Sequence, residues 1–271
     1  MIRRALTLIL SVTFLFAVQA YAQTVDELVK KNIDARGGIQ KLKALKSIKA
    51  TGKMTQQGLE IPLTLQQKRP AMVRMEATFQ GKSFVQAYNG EVGWKIDPFQ
   101  GSPEPEKVAD DDLKDLEEQA DFDGALVDYK EKGNTVELIG KEDMEGTPVY
   151  KLKLTLKKGD VRNIYLDAEN YLDLKVTSKR KTPGGEIDID QYLGNYKSVN
   201  GVLFPFSIEA KVKGQTVQQI TIDKIEADVA IDDSIFKMPA KPPEKSKTEE
   251  KPKTEEKKPP VGEQQRLRRN D

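Results

Sequence analysis

From Ser47 onward the chain repeatedly places apolar residues two apart, and that period leaves few folds open. Ile48, Ala50, Gly52 and Met54 alternate with Lys49, Thr51, Lys53 and Thr55. Leu59, Ile61, Leu63 and Leu65 alternate with Glu60, Pro62, Thr64 and Gln66. Val73, Met75, Ala77 and Phe79 then share one face of an extended chain, with Arg74, Glu76 and Thr78 on the other. Successive side chains of a strand point to opposite faces, so these runs read as half-buried strands. Gln80-Gly81 and Asn89-Gly90 part them. Glycine accepts positive φ without a steric cost and asparagine tolerates it, so both pairs predict turns. Trp94, the single tryptophan, and Phe99 close the meander. Pro62 offers no N–H to a ladder, which predicts an edge or a bulge for its strand.

The same pattern returns later in the chain. Tyr150, Leu152, Leu154 and Leu156 alternate with Lys151, Lys153, Thr155 and Lys157. Runs at 160–167, 172–178, 187–192, 202–210 and 217–222 follow, with Pro183-Gly184-Gly185, Asn200-Gly201 and Lys213-Gly214 between them. About ten or eleven strands at even spacing predict one antiparallel sheet, curled or closed, rather than two domains. The fold class is mainly β with helices (α+β). Thr24 can cap a helix that carries Val25, Leu28, Val29 and Ile33 on one face and stops at Gly37-Gly38. Ile39, Leu42 and Leu45 suggest a second short helix. This pair either docks on the core or covers the sheet. Gly101 to Pro105 reads as loop. Residues 108–120 have helical composition, with Asp110-Asp111-Asp112 and Glu117-Glu118 among only five apolar residues. A helix so polar is expected to be held weakly, either as a moving lid or as a solvated surface helix.

The two ends read differently. Arg3-Arg4, the apolar run at 5–18 and Ala20-Tyr21-Ala22 predict a secretory signal peptide over residues 1–22. An apolar run of about 14 residues is short for a membrane span. The chain has no cysteine, so lipid anchoring at a new N-terminal cysteine and disulfides are both excluded. A periplasmic protein, soluble after cleavage, is expected. Residues 240–271 are rich in Lys, Glu and Pro, with Lys-Thr-Glu-Glu-Lys repeated, and such a segment cannot bury enough surface to offset its ordering entropy. The expected organisation is a signal peptide at 1–22, one folded domain at 23–239 and a disordered charged tail at 240–271.

Chemistry is bounded by what is missing. The sequence has no histidine, which removes serine–histidine triads, cysteine–histidine pairs and histidine-based zinc sites. Glu186, Asp188 and Asp190 share a strand face at a spacing of about 7 Å, which could suit a glycosidase pair. The same alternation turns Ile187 and Ile189 inward, so a solvated face is the simpler account. Asp121, Asp123 and Gly124 fit part of a calcium loop, but Gln119 and Lys130 stand where its end ligands belong. A net charge of +1 gives no electrostatic footprint for nucleic acid. No cofactor is expected. An apolar ligand is the idea the residues support: a curved sheet lined by Leu, Ile, Val, Met and Phe has an inner face to fill. Helices could fill it permanently, as a core, or reversibly, as a lid over a cavity.

Lys68-Arg69-Pro70, the strand after it, Asn89 to Trp94 and Asp97-Pro98-Phe99, with Asp233 to Pro239 at the far end, resemble the periplasmic LolA/LolB-like lipoprotein carriers. The order of the motifs covers roughly residues 24–239. The resemblance implies an unclosed β-barrel with a helical lid over an apolar cavity. It implies non-catalytic carriage of lipoprotein acyl chains or a related lipid, by a monomer with transient membrane-protein partners. In that family the arginine before this proline contacts the lid, so Arg69 is the expected latch. Leu63, Leu65, Met75, Trp94 and Phe99 are the expected ligand-binding residues. The acidic helix is more polar than an acyl-covering lid should be, and the tail is additional. The alternative is a structural module of the bacterial envelope whose tail recruits a partner.

Overall fold

Thr24 opens the first helix, α1 (Val25–Ala35), by a capping box: its hydroxyl accepts from the Glu27 amide while the Glu27 carboxylate accepts from the Thr24 amide at 2.9 Å. The computed structural model describes residues 23–182 and 185–240. The expected signal peptide and the tail from 241 lie outside the described residues. α1 ends as the Gly37-Gly38 pair predicts, the Gly38 amide bonding back to the Ile33 carbonyl at 2.9 Å. Gly37 also permits a close approach, because a Cβ there would sit 2.2 Å from the Gly201 carbonyl oxygen. α2 (Ile39–Ala44) follows at once.

The strands come next: β1 (Ser47–Gln56), β2 (Leu59–Lys68), β3 (Met72–Phe79), β4 (Lys82–Tyr88), β5 (Gly93–Asp97) and β6 (Ser102–Lys107). α3 (Asp110–Ala120) then leads to β7 (Thr135–Met144), β8 (Thr147–Thr155), β9 (Val161–Asp167), β10 (Asp173–Thr182) and β11 (Gly185–Gly194). β12 (Lys197–Val199), β13 (Val202–Phe204), β14 (Ser207–Val212) and β15 (Gln215–Ala227) complete the set, before a single 3-10 turn at Asp233–Phe236.

Thirteen of these strands form one antiparallel sheet in the order β6-β5-β4-β3-β2-β1-β15-β14-β11-β10-β9-β8-β7, and β12 and β13 pair apart from it. The sheet is curved and does not close: β6 and β7 are its free edges. The chain crosses from one edge to the other through α3 and residues 121–134. The strand count exceeds expectation for three reasons, the first being the short β12, which no run predicted. Residues 202–210 divide into β13 and β14, and the expected loop after Gly101 forms β6. Pro103 and Pro105 are tolerated there because an edge strand has a side that donates to nothing. Pro62 lies in β2, which is internal in strand order, yet β3 pairs only with Leu63–Lys68. The stretch around Pro62 faces β1 alone, which makes it an edge locally.

Paired residues of antiparallel strands share a face, so the register sorts the core. Val73 pairs with Tyr88 and Tyr88 with Gly93, and Val73 and Tyr88 pack with Leu116 and Ala120 of α3. Leu28 and Val29 of α1 pack with Leu152, Leu154, Ile164 and Leu166. Leu42 and Leu45 of α2 pack with Val127 and Val202. All three helices therefore lie on one side of the sheet, the concave one. The other side carries a smaller cluster of Val85, Ala87 and Trp94, joined by Ile96 and Met238.

Trp94 thus belongs to the outer face, opposite the one on which it was expected. Its pairing with Ala87, and that of Ala87 with Arg74, fix this. Its Nε1–H donates to the Phe236 carbonyl at 2.7 Å, and the Arg74 guanidinium sits 5.8 Å from the ring centroid. Trp94 holds the C-terminal segment to the outside of the sheet. Trp94→Phe keeps most of the apolar contact and leaves the buried Phe236 carbonyl without its donor. It should destabilise the fold by about 1–3 kcal/mol in denaturant unfolding, with protease cleavage near Phe236 appearing before global unfolding.

Candidate functional site

The concave face is built from rungs of paired residues. One rung runs Ile48, Gln67, Val73, Tyr88, Gly93. The next runs Ala50, Leu65, Met75, Gln86, and the one after it Gly52, Leu63, Ala77, Phe84. The last runs Leu193, Ile208, Ile220, Met54, Ile61. Burial is uneven along this series: Ala50, Leu63 and Ala77 of the middle rungs are as buried as the first rung. Ile48, Val73 and Tyr88 are buried. Met75 and Phe84 are half-buried, and so is every member of the Leu193–Ile61 rung. The less covered apolar residues of these rungs are Leu65, Met75, Phe84 and the Leu193–Ile61 rung, which form a half-buried strip.

Three expected ligand-binding residues meet on this face. Leu65 pairs with Met75 and Leu63 is two residues along. Leu65 also packs against both the α3 cluster and the Ala50–Phe206–Ile222 cluster. Phe99 is 48% exposed at the rim, its ring centroid 6.3 Å from that of Phe79. Trp94, on the outer face, does not join them. The sequence reasoning passed over Met54, Phe84, Ile208 and Ile220. The alternation already names them, but only the register shows that they adjoin Leu63 and Leu65.

Arg69 stands at the end of β2 and reaches under the helices. Its Nε donates to the Leu45 carbonyl at 2.6 Å and one terminal nitrogen to the Leu42 carbonyl at 3.0 Å. The guanidinium also grips the Asp123 carboxylate with both terminal nitrogens, one at 3.0 Å, and lies 4.8 Å from the Phe122 ring centroid. Two orphan carbonyls at the C-terminal end of α2 thereby gain a charged donor. Asp123 is the residue that sequence reasoning weighed only for calcium. It binds Arg69, and Asp121 binds Lys132 at 2.6 Å, so both carboxylates already have cationic partners.

α3 is held on two sides, against the expectation of weak attachment. Leu113, Leu116 and Ala120 pack on β3 and β4. Gly93 makes room for them, since a Cβ there would meet Leu113 and Val108 side chains at 2.8 Å. The acidic side faces bases on β9, β10 and the β8–β9 turn. Glu118 pairs with Arg162 and Glu117 with Lys158. Asp112 and Asp115 stand 3.6 and 3.8 Å from Arg180. The Gln67 side chain donates to the Gln119 carbonyl. The acidity that looked wrong for a lid is matched by bases on the concave face.

Among the described residues, the Glu186, Asp188 and Asp190 series stays on the outer face, opposite Ile189. Asp190 accepts from the Thr177 hydroxyl at 2.6 Å and Glu186 lies 3.6 Å from Lys179. The alternation accounts for them without catalysis. No helix among the described residues is long and apolar enough to cross a membrane.

No protein-family model and no curated protein matches this sequence. Solved structures do resemble it. A DUF1329 family protein from Desulfovibrio piger has a TM-score of 0.54 at 12% identity, over 77% of this chain and 97% of that one. A LolA superfamily protein from Nitrosomonas europaea has a TM-score of 0.52 at 14% identity, over 80% and 98%. A domain named as an outer membrane lipoprotein-sorting protein from Vibrio parahaemolyticus has a TM-score of 0.50 at 12% identity, over 77% and 97%. The chain has the fold of the LolA superfamily, as the motif resemblance implied.

Burial pushes the Asp115 carboxyl above the usual range, against the pull of Arg180 and Arg162, with Asp112 and Asp160 adding to the rise. A carboxyl raised in the folded state favours folding when protonated, so its ionisation costs stability as pH rises through its folded value. Asp115→Asn removes that cost. The variant should unfold at a higher temperature than the parent at pH 7. The gap should close as pH falls towards the ordinary carboxyl value of 3.8, read from thermal melts across that range.

Proposed function

We propose that this chain, with its LolA fold, is a non-catalytic carrier in the bacterial periplasm that holds acyl chains of lipoproteins or of a related lipid. The observation that carries this reading is the half-buried apolar strip of Leu65, Met75, Phe84 and the Leu193–Ile61 rung on the concave face, beside the helices. Burying a methylene is worth about 0.8 kcal/mol, so a chain laid along Leu65, Met75, Phe84 and the Ile208–Ile61 rung gains several kcal/mol from a few contacts. The neighbour named for outer membrane lipoprotein sorting supports the class of cargo, and membrane-protein partners would load and unload it transiently. Arg69 is the latch in this reading. It joins the end of β2 to α2 and to the segment that follows α3, so any widening between sheet and helices must break its bonds.

Native mass spectrometry and lipid extraction of protein purified from the periplasm test the carrier. Co-purifying lipid or lipoprotein is the expected result. A clean ligand-free protein that captures a partner through residues 240–271 would favour the envelope module instead. Leu65→Asp places a charge in the strip and should abolish ligand uptake while leaving the circular dichroism spectrum unchanged.

The latch has its own test. A charged donor bonded to a carbonyl contributes about 1.5–3 kcal/mol per bond, and Arg69→Leu removes the donors while keeping an apolar stem. The closed state loses more than the ligand-bound state, in which an acyl chain replaces the contact between helices and sheet. The folded variant should load cargo and release it slowly to an acceptor. Release at the parental rate would leave the strip as a site and remove Arg69 from the mechanism.

A further inference from the structure

The concave face holds a second kind of surface beyond the apolar strip. Arg162 of β9 sits in a rung that reads Leu154, Arg162, Ser178, Ile189, Val212. Ile189 is four residues before Leu193 on β11, so this rung lies two side-chain steps beyond the half-buried Leu193–Ile208–Ile220 rung. Arg180, one step further along β10, pairs with Ile187 and faces the same way. Two guanidinium groups therefore stand on the concave face, Arg162 beside Leu154, which is buried in the α1 cluster. Arg162 is the deeper of them, its side chain 28% exposed against 56% for Arg180.

A guanidinium beside apolar residues is favoured by an anionic partner, the more so where it is partly buried, as Arg162 is. In this chain the partners are Glu118 for Arg162 and Asp112 with Asp115 for Arg180. All three belong to α3, the element that must shift if anything enters between it and the sheet. Once α3 moves, both arginines lose their anions together. A neutral acyl ligand would leave the partly buried Arg162 without an anion, while the exposed Arg180 would turn to water. A ligand that brings its own anion would not leave Arg162 so.

We propose that the ligand is a long-chain amphiphile with an anionic oxygen head group, a carboxylate or phosphate. The head seats on Arg162 and Arg180, and the carboxylates of α3 occupy that seat when no ligand is bound. This rests on the carrier reading and narrows its cargo. The dimensions agree. Five strand spacings of about 4.8 Å separate β1, which carries Met54, from β9, which carries Arg162, and the curl of the sheet shortens the direct path. A long acyl chain covers that span. Arginine suits the seat because its planar fork binds carboxylate or phosphate through two parallel bonds. α3 then works as an internal competitor whose charges mimic the head group.

Calorimetric titration of the full chain with hexadecyl phosphate and with neutral 1-monopalmitin, both below their aggregation concentrations, tests this. The parent should bind hexadecyl phosphate about tenfold more tightly, the size of one charge-assisted bond gained. Arg162→Gln with Arg180→Gln should erase that preference and keep the monopalmitin affinity, and lysine at both positions should restore part of it. Asp112→Asn with Glu118→Gln should strengthen hexadecyl phosphate binding more than monopalmitin binding. Inorganic phosphate should not compete at millimolar concentration. Equal affinity for the two lipids in the parent, or a preference that survives the glutamine pair, overturns the proposal. Competition by inorganic phosphate does so too, because the seat would then serve a free ion. If the glutamine pair loses its circular dichroism spectrum, Arg180→Gln at the rim decides: a parental preference there overturns the proposal. Failure of both lipids to bind removes the carrier reading along with it.

Discussion

A curved sheet that stays open has a concave face that water and the chain must share, and the rest of this structure answers that constraint. Thirteen strands with two free edges leave a mouth between β6 and β7. The single crossing between those edges carries α3, so one segment both spans the gap and covers the face. The face has two characters. Its β1–β4 part is apolar from Leu63 and Leu65 through Met75 to Phe84. Its β9–β10 part carries Arg162 and Arg180. α3 matches both, with Leu113, Leu116 and Ala120 towards the first and its carboxylates towards the second.

Arg69 ties the end of β2 to α2 and to Asp123, as Asn32 ties α1 to Tyr171 and Asp173 at the start of β10. Exposed ion pairs contribute little, typically below about 1 kcal/mol, and most pairs in this chain are of that kind. Arg69 and Asp123 differ, with side chains 27% and 13% exposed. A partly buried bidentate pair with two further carbonyl acceptors is costly to break from one side, because each group left behind keeps its desolvation penalty. Such a contact favours two discrete states over gradual loosening. That is the behaviour a latch requires.

Much of the fold was legible in the sequence, for a physical reason. Period-two alternation and glycine-bearing turns are local signals, and they placed the strands, the curled antiparallel sheet and both ends of α1. The shared face of Leu63, Leu65 and Met75 was legible as well, through their phase. Trp94 was not, because its face depends on which residue of β4 it pairs with, and no local pattern carries that register. β6 was missed because two prolines read as loop until the strand is known to be an edge. The hold on α3 was illegible because Glu118 and Arg162 are far apart in the chain, so their charges meet only after the sheet curls. Asp123 was misfiled for the same reason: its partner lies more than fifty residues earlier.

The energies bear on whether the helices are a permanent core or a replaceable cover. Full burial of a leucine contributes about 1.5–3 kcal/mol, so Leu116, with Leu113 half-buried and Ala120 adding little, gives α3 roughly 4 kcal/mol of apolar hold. Its partly exposed ion pairs add about 1 kcal/mol more between them. An acyl chain that buries about eight methylenes gains roughly 6 kcal/mol. The two sums are close, so under the carrier proposal either occupant could displace the other, and small changes in charge on α3 or on Arg162 and Arg180 would shift the balance. A fully apolar helix would hold the face too firmly to yield it. In the carrier proposal, an acidic helix on a partly basic face would give up its place to a ligand that supplies the same charge and more apolar surface.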